Sequence, residues 1–252
     1  MNDGNKIPLL GFGVWQVPPG AVTRKCVSEA LKAGYRHIDT AKIYANEADV
    51  GDAVRGSGLH REEIFVATKV WNNDQGYAPA LAACDESLRK LNIGYIDLYL
   101  IHWPVAGRHE ETWRALEKLK ADGKVRSIGV SNYLESELDG IDGHPGLNPA
   151  ADQVEFNPFH NLRGVEERCR QRGIVMEAYS PLTRGQSLGN SKLRKVAEKV
   201  GHTPAQVMLR WGLQHGAVIL PRSSKIEHIR ENAQLFDFEL GHLEMDALNG
   251  LG

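Results

Sequence analysis

Four side chains that could handle a proton stand at or just after the ends of apolar stretches. Asp39 ends the stretch RHID and Tyr44 follows five residues later. Lys69 and His102 end two further stretches of the same kind. A carboxylate, a phenol, an ammonium and an imidazole can together hold, deliver and polarise a proton, provided that they meet at one place. Whether they meet depends on the elements that carry them.

Each of these residues also has an ordinary structural explanation. Asp39 could cap a turn, and Lys69 could extend its ammonium to solvent. His102 could be a hydrogen-bonded core histidine, and Tyr44 could pack beside a helix. A set of titratable groups at successive strand ends is harder to explain by structure alone, because buried charge is costly unless it is paired. We therefore interpret the set as functional.

Eight apolar stretches alternate with amphipathic segments. Most stretches are continuous patches of Val, Ile, Leu and Phe, which is typical of strands covered on both faces. The stretches are 9–15, 35–40, 63–71, 95–103, 125–132, 151–157, 173–181 and 216–223. Between them, apolar residues three and four positions apart predict helices over 78–92 and 111–121.

Signals for helix ends accompany this alternation. A helix over 21–33 is predicted to end at Gly34, a residue suited to the left-handed conformation. Asn46 is predicted to cap the next helix, with Asp49 three positions later as the partner in a capping box.

A strand followed by a helix, eight times over, predicts an α/β fold, a (β/α)8 TIM barrel that forms a single domain over 1–252. A doubly wound open sheet is the alternative. In a barrel the active site lies at the carboxyl ends of the strands. The polar residues that end the strands should therefore converge on one mouth.

Composition excludes several classes of protein. The formal net charge is −2, so no general attraction to nucleic acid or membranes is expected. Three cysteines without a CxxC pair argue against a disulfide scaffold and fit a reducing compartment. No apolar run is long enough to span a bilayer, and residues 1–8 lack the apolar core of a signal peptide. We expect a cytoplasmic protein.

Eight segments spread along the chain carry specific motifs. They are GFGVWQV (11–17), HIDTAKIYANE (37–47), EIFVATKVWN (63–72), DLYLIHWP (97–104), VRSIGVSN (125–132), QVEFNP (153–158), AYSPL (178–182) and the segment 218–240. Together these motifs resemble the aldo-keto reductases, NADPH-dependent barrel enzymes, over nearly the whole chain. The short loops are most similar to the bacterial 2,5-diketogluconate reductase and prostaglandin F synthase-like branch.

The resemblance implies a catalytic tetrad of Asp39, Tyr44, Lys69 and His102, which reduces a carbonyl group. Tyr44 would protonate the carbonyl oxygen, and Lys69 would lower the pKa of the phenol. Asp39 would keep Lys69 charged and in place. His102 would orient and polarise the carbonyl.

The resemblance also implies NADPH as the cofactor. Ser131, Asn132 and Gln153 would hold its carboxamide, and Tyr179 would stack on the nicotinamide. The segment along the pyrophosphate would include Ser180, Leu182 and Gly185.

The adenosine end would lie in the segment PRSSKIEHIREN (221–232). Arg222 stands where the family usually has lysine, and its guanidinium suits a 2′-phosphate, aided by Ser223 and Ser224. His228 stands where arginine is common and contributes less charge, so we expect a narrower preference for NADPH. The positions implied to contact adenine are Glu231 and Asn232.

The substrate is expected to be a small carbonyl compound. Trp15, Trp71 and Trp103 follow strand ends and are predicted to line its pocket, with Phe156 as a further candidate. Both ends of the chain look short beside the family pattern. An open pocket with broad selectivity is therefore expected. The resemblance implies that the chain acts as a monomer.

Two other functions are compatible with parts of the pattern. A metal-dependent barrel hydrolase would use Asp39 and His102 as ligands, but it needs more such residues at strand ends, and no metal site is predicted. A redox-sensing subunit would bind the nucleotide with little turnover.

Overall fold

The structure, a computed structural model, describes residues 1–141 and 147–252. Eight parallel strands pair in sequence order. They are β1 (Gly11–Gly13), β2 (His37–Asp39), β3 (Phe65–Val70), β4 (Ile96–Ile101), β5 (Val125–Ser131), β6 (Ala151–Glu155), β7 (Val175–Tyr179) and β8 (Val218–Ile219). A parallel bridge between Leu10 and Ile219 closes the sheet into a barrel. The predicted (β/α)8 TIM barrel is confirmed, and the open sheet is wrong.

Each predicted apolar stretch contains one of these strands. Nearly every strand residue is buried, since side chains pack inside the barrel and helices cover the outside. The strands are shorter than the stretches, because the apolar residues continue into the loops at the mouth. Trp15, Trp71 and Trp103 all lie beyond the last residue of a strand.

Ten α-helices surround the barrel within the described residues. They are α1 (Ala21–Lys32), α2 (Glu47–Arg55), α3 (Tyr77–Leu91), α4 (His109–Ala121), α5 (Glu135–Ile141), α6 (Arg163–Arg172), α7 (Ser191–Val200), α8 (Pro204–Gln214), α9 (Ile226–Glu231) and α10 (His242–Asn249). The predicted apolar face of α4 is buried at Trp113, Leu116 and Leu119. None of these helices has both the length and the apolar character needed to cross a bilayer.

The predicted end of α1 is confirmed, whereas the predicted capping box of α2 is wrong. Gly34 has a φ of 99°, in the left-handed region. Asn46 occupies the capping position, but its side chain makes no hydrogen bond to the helix. Asp49 accepts a hydrogen bond from the backbone N–H of Gly20 at 2.6 Å and pairs with Arg24.

Asn46 instead ties two loops of the mouth together. Its side chain is fully buried, donates from Nδ2 to the Val14 carbonyl at 3.0 Å and accepts from the Thr40 hydroxyl at 2.8 Å. The first of these loops carries Trp15, and the second leads to Tyr44. The local pattern predicted a cap, but a buried amide satisfies its polar atoms wherever backbone partners lie.

Strand register decides which side chains meet inside the barrel. Asp39 pairs with Ala67, so Lys69, two residues further along β3, points inward just above it. On the opposite wall Gln153 pairs with Ser131 on one side and with Glu177 on the other. Polar residues of five strands thus share the upper part of the barrel interior.

Candidate active site

Lys69 and Asp39 form an ion pair inside the mouth of the barrel. The Lys69 Nζ lies 2.8 and 2.7 Å from the two Asp39 carboxylate oxygens and 3.0 Å from the Thr40 carbonyl. Lys69 is fully enclosed, and Asp39 is 4% exposed. Burial is the largest single effect and works to lower the pKa of Lys69, but the charge and hydrogen bonds of Asp39, together with Tyr44 and Glu177, outweigh it, so this pKa is raised. The lysine therefore stays charged.

Tyr44 and His102 complete the group at the mouth. Tyr44 lies in a 3-10 turn (Lys42–Tyr44), with its ring centroid 5.4 Å from the Lys69 Nζ. The ring of His102 packs edge-on against Tyr44, with centroids 5.7 Å apart, and against Trp71 at 5.1 Å. The four predicted catalytic residues are thus brought together, while their roles stay predictions.

The pKa of Tyr44 is shifted in the direction opposite to the one expected from the sequence. Burial raises the pKa of this phenol, and Lys69 lowers it by a smaller amount, so the net pKa is raised above 10.0. The sequence-based expectation considered the ammonium alone. Lys69 still favours the phenolate. In the protein without cofactor, however, its effect on the pKa of Tyr44 is smaller than the opposing effect of burial.

His102 is neutral in this environment. Burial and the positive charge of Lys69 lower the pKa of His102 to about 3. Its Nδ1 is buried without a hydrogen-bond partner among the described residues. A neutral imidazole carries one N–H donor, which is suitable for polarising an oxygen atom.

We expect ¹⁵N NMR to show His102 as a neutral imidazole from neutral pH down to about 4, because both burial and Lys69 oppose protonation. The signal is assigned by its loss in His102→Asn. Protonation of this ring near the ordinary value of 6.5 would contradict the described environment.

The residues predicted to hold a carboxamide form a connected group. Ser131 donates its hydroxyl hydrogen to the Gln153 carbonyl at 2.7 Å, and the Asn132 amide donates to the His102 carbonyl at 2.9 Å. The Tyr179 hydroxyl donates to the Asn132 Oδ1 at 2.8 Å. Asn132 has a φ of 61°, which places its side chain beside the mouth.

A cavity of about 890 Å³ runs from this group toward β8. The predicted catalytic, cofactor and pocket residues line it, with two exceptions: Lys69, which lies beneath its floor, and the further candidate Phe156. Trp15 and Trp103 are partly exposed at its rim, whereas Phe156 does not line it. Phe156 is buried outside the mouth, stacked on Trp211 with centroids 4.7 Å apart.

Arg222 holds the far end of the cavity to the loop after β1. Its Nε donates to the Trp15 carbonyl at 3.0 Å, and its Nη2 donates to the Gln16 carbonyl at 2.8 Å. A guanidinium has five N–H donors, so these bonds use two of them. The side chain can keep this position and still offer donors to an anion.

Arg184 and Thr203 are among the cavity-lining residues that sequence reasoning missed. The Arg184 guanidinium lies 4.8 Å from the centroid of the Trp15 ring, across the cavity from the turn after β7. Thr203, which caps α8, donates its hydroxyl hydrogen to Glu231 at 2.7 Å. The motif Thr-Pro-x-Gln at 203–206 signals the helix start, whereas no sequence signal places Arg184.

The described residues contain no cluster of three or more His, Cys, Asp or Glu side chains suited to a metal ion. Asp39 is engaged with Lys69, and the ring of His102 packs between two aromatic side chains.

Comparison with known proteins identifies the family. The model of the aldo/keto reductase family matches residues 9–252. The chain belongs to the aldo/keto reductase family. The predicted resemblance is confirmed, and the chain is accordingly an oxidoreductase that acts on small carbonyl compounds with a nicotinamide cofactor.

Relatives of this aldo/keto reductase match it from end to end. The glyoxal reductase of Bacillus subtilis is 47% identical over 251 residues, which cover 100% of this chain and 91% of the relative. The 9,11-endoperoxide prostaglandin H2 reductase of Trypanosoma cruzi is 45% identical over 254 residues, covering 100% and 90%. The crystal structure of an aldo/keto reductase from Brucella melitensis is 46% identical with a TM-score of 0.95, covering 100% and 97%.

Proposed function

We propose that this chain reduces small aldehydes and ketones to alcohols, reversibly, with NADPH as the cofactor. One observation carries the proposal. The Lys69 ammonium is enclosed between the Asp39 carboxylate and the Tyr44 ring, directly beneath a cavity large enough for a dinucleotide. The chain is proposed to act as a monomer.

The residues along the cavity fit a nicotinamide dinucleotide. One end has the hydroxyl of Ser131 and the amides of Asn132 and Gln153, which can pair with a carboxamide. The other end has Arg222 and Lys225, whose charges suit a phosphate. A bound nicotinamide supplies the hydride, which no side chain can provide.

In the proposed mechanism Tyr44 holds the proton that the carbonyl oxygen receives. The carbonyl oxygen becomes negative as its carbon is reduced, and the proton of the phenol moves to that oxygen. Lys69 stabilises the phenolate that remains, and Asp39 keeps the ammonium beneath the ring. In the reverse direction the phenolate takes the proton of the alcohol.

His102 and the tryptophans position the carbonyl group. The neutral ring of His102 offers an N–H to the oxygen without competing with Tyr44 as an acid. Trp15, Trp71 and Trp103 supply apolar surface for the remainder of a small substrate. The partly exposed rim supports the expected broad selectivity.

Steady-state turnover with a panel of carbonyl compounds tests the proposal. The panel includes glyoxal, because a relative is named for its reduction, together with aromatic aldehydes and simple ketones. We expect NADPH to be consumed with saturable dependence on at least one aldehyde. Tight binding of NADPH without turnover on any compound would favour the redox-sensing alternative instead.

The proposed preference for NADPH over NADH can be tested by substituting Arg222. We expect Arg222→Met to raise the KM for NADPH roughly 10- to 100-fold, since a charge-assisted hydrogen bond contributes about 1.5–3 kcal/mol. The KM for NADH should change much less, because NADH lacks the 2′-phosphate. His228→Arg is the matched gain of charge and should widen the preference for NADPH. An equal rise in the KM for both cofactors would mean that Arg222 only holds the loop after β1 and does not bind the 2′-phosphate.

A further inference from the structure

Two ionisable side chains lie inside the barrel beneath the catalytic group, and the proposed mechanism does not use them. His37 and Glu177 are both fully buried, and the His37 Nε2 lies 3.6 Å from the Glu177 Oε1. The Gln153 Nε2 donates to the Glu177 Oε2 at 3.3 Å and to the Asp39 Oδ2 at 2.9 Å. A single amide group thus connects Glu177 to the ion pair that serves Tyr44.

The space around this pair is closed. A Cβ on Gly11 would come within 2.8 Å of the His37 Nδ1 and within 2.4 Å of Leu220, so β1 carries no side chain at this point. The ring of Phe65 packs edge-on against His37, with centroids 4.8 Å apart. Both His37 ring nitrogens and the Glu177 Oε1 have no hydrogen bond to other described residues.

The charges that face Glu177 come from three neighbouring elements. β2 contributes His37 and Asp39, and β3 contributes Lys69. β6 contributes the amide of Gln153, while the register partner on β8 is apolar. Asp152, also on β6, points to the other face of its strand and acts on Glu177 only through space.

The ammonium of Lys69 is not available to Glu177 as a hydrogen-bond donor. Its contacts go to both carboxylate oxygens of Asp39, to the Thr40 carbonyl and toward Tyr44. A second carboxylate in the same enclosed space is costly to ionise without a cation of its own. Burial and the charge of Asp39 accordingly raise the pKa of Glu177 to about 8. Burial lowers the pKa of His37 to about 4.

We propose that Glu177 is a protonated acid at neutral pH and that, once ionised, it acts through Lys69 to weaken the acidity of Tyr44. The inference rests on the proposed function. Glu177 is a positioning residue, because it contacts neither the substrate nor the reacting atoms. His37 is neutral and keeps the acid in an enclosed, weakly solvating space.

The sign of the effect follows from charge. Below about pH 8 Glu177 is neutral, and Lys69 acts on Tyr44 with its full positive charge. Above it, the new negative charge opposes Lys69 and raises the pKa of the phenol. Alcohol oxidation needs the phenolate, so ionised Glu177 should slow oxidation at alkaline pH.

The kinetic test compares Glu177→Gln with the wild type in single-turnover alcohol oxidation with NADP⁺. We expect the rate ratio of variant to wild type to be near one at about pH 6. It should rise to roughly three- to tenfold at about pH 9.5, where only the wild type carries the extra charge. Affinity for NADP⁺ should be unchanged. Glu177→Leu removes the same charge and should give the same rise in the rate ratio. It serves as the alternative variant if Glu177→Gln does not fold.

Asp152→Asn is the matched control. Asp152 is another fully buried carboxyl group with a raised pKa, and it faces the outside of the barrel beside Tyr133 and Cys169. This variant should keep a ratio of one at both pH values. A ratio that stays flat in both Glu177 variants, or that rises equally in Asp152→Asn, would overturn the proposal.

Infrared titration of the protein without cofactor supplies a readout that needs no turnover. Asp152 is also a buried acid, so the readout is the difference between the wild-type and Glu177→Gln spectra. We expect this difference to contain the carbonyl stretch of a buried carboxylic acid at neutral pH and to lose it as the pH rises through about 8. Absence of this band at neutral pH would overturn the proposal. If the protein showed this band but reduced no carbonyl compound, the proposed function would be refuted. The protonation of Glu177 would still be established.

Discussion

Tyr44→Phe should lower kcat for aldehyde reduction roughly 100- to 10,000-fold, because positioned general acids contribute about that much. The phenyl ring keeps the packing against His102 and loses only the proton donor. Affinity for NADPH, measured by quenching of tryptophan fluorescence, should change less than about threefold, since the predicted cofactor residues are unaltered. The measurement is turnover at saturating cofactor and substrate.

Tyr95→Phe is the matched control for this substitution. Tyr95 precedes β4 at the opposite end of the barrel, where its ring stacks on the guanidinium groups of Arg61 and Arg126. The same loss of a hydroxyl group there should leave kcat unchanged. Near-normal turnover in Tyr44→Phe would show that Tyr44 is not the proton donor. The proposed role of Lys69 in stabilising its phenolate would then be lost as well.

Asp39→Asn should lower the free energy of unfolding by roughly 3–5 kcal/mol, the usual cost of leaving one member of a buried ion pair uncompensated. Lys69 would then lie fully buried without its carboxylate partner. Urea unfolding at neutral pH measures the loss. A change below about 1 kcal/mol would show that other groups compensate the ammonium.

A double variant separates stability from activity at this pair. Lys69→Met combined with Asp39→Asn removes both charges, so we expect much of the lost stability to return, because apolar replacements of buried pairs are often neutral or stabilising. Turnover should stay at the level of the worse single variant. Stability restored together with activity would contradict the proposed role of Lys69.

The pH dependence of this stability has a definite sign. The pKa of Lys69 in the folded protein is raised above its ordinary value of 10.5. Its contribution is therefore complete at neutral pH and is lost only as the pH rises through the folded-state value. The difference between Asp39→Asn and the wild type should persist from mildly acidic to mildly alkaline pH and shrink in strong alkali.

The barrel could be predicted from the sequence because its signals are repetitive. Eight continuous apolar stretches separated by helical periodicity leave few architectures, and motif resemblance points to the same one. Asp39, Lys69 and His102 could be placed at the mouth because parallel strands all end on the same side. The limits of the strands were less predictable, since Trp15, Trp71 and Trp103 extend the apolar pattern past the last strand residue.

Features that depend on tertiary contacts were not predictable. Asn46 resembles a helix cap in its local sequence, yet its amide joins two loops that are distant along the chain. The net pKa of Tyr44 depends on how completely the ring is enclosed, which residue spacing does not reveal. Arg184 meets Trp15 only because the turn after β7 folds back across the mouth.

The missing side chain at Gly11 has an evolutionary consequence. Any larger residue at position 11 would overlap the imidazole at position 37 and the leucine at position 220. Substitutions at these positions should therefore covary, with a bulkier first strand accompanied by a smaller residue on the second. Homologues that have made this exchange would lack the ring beside Glu177, and their rates should respond differently to alkaline conditions.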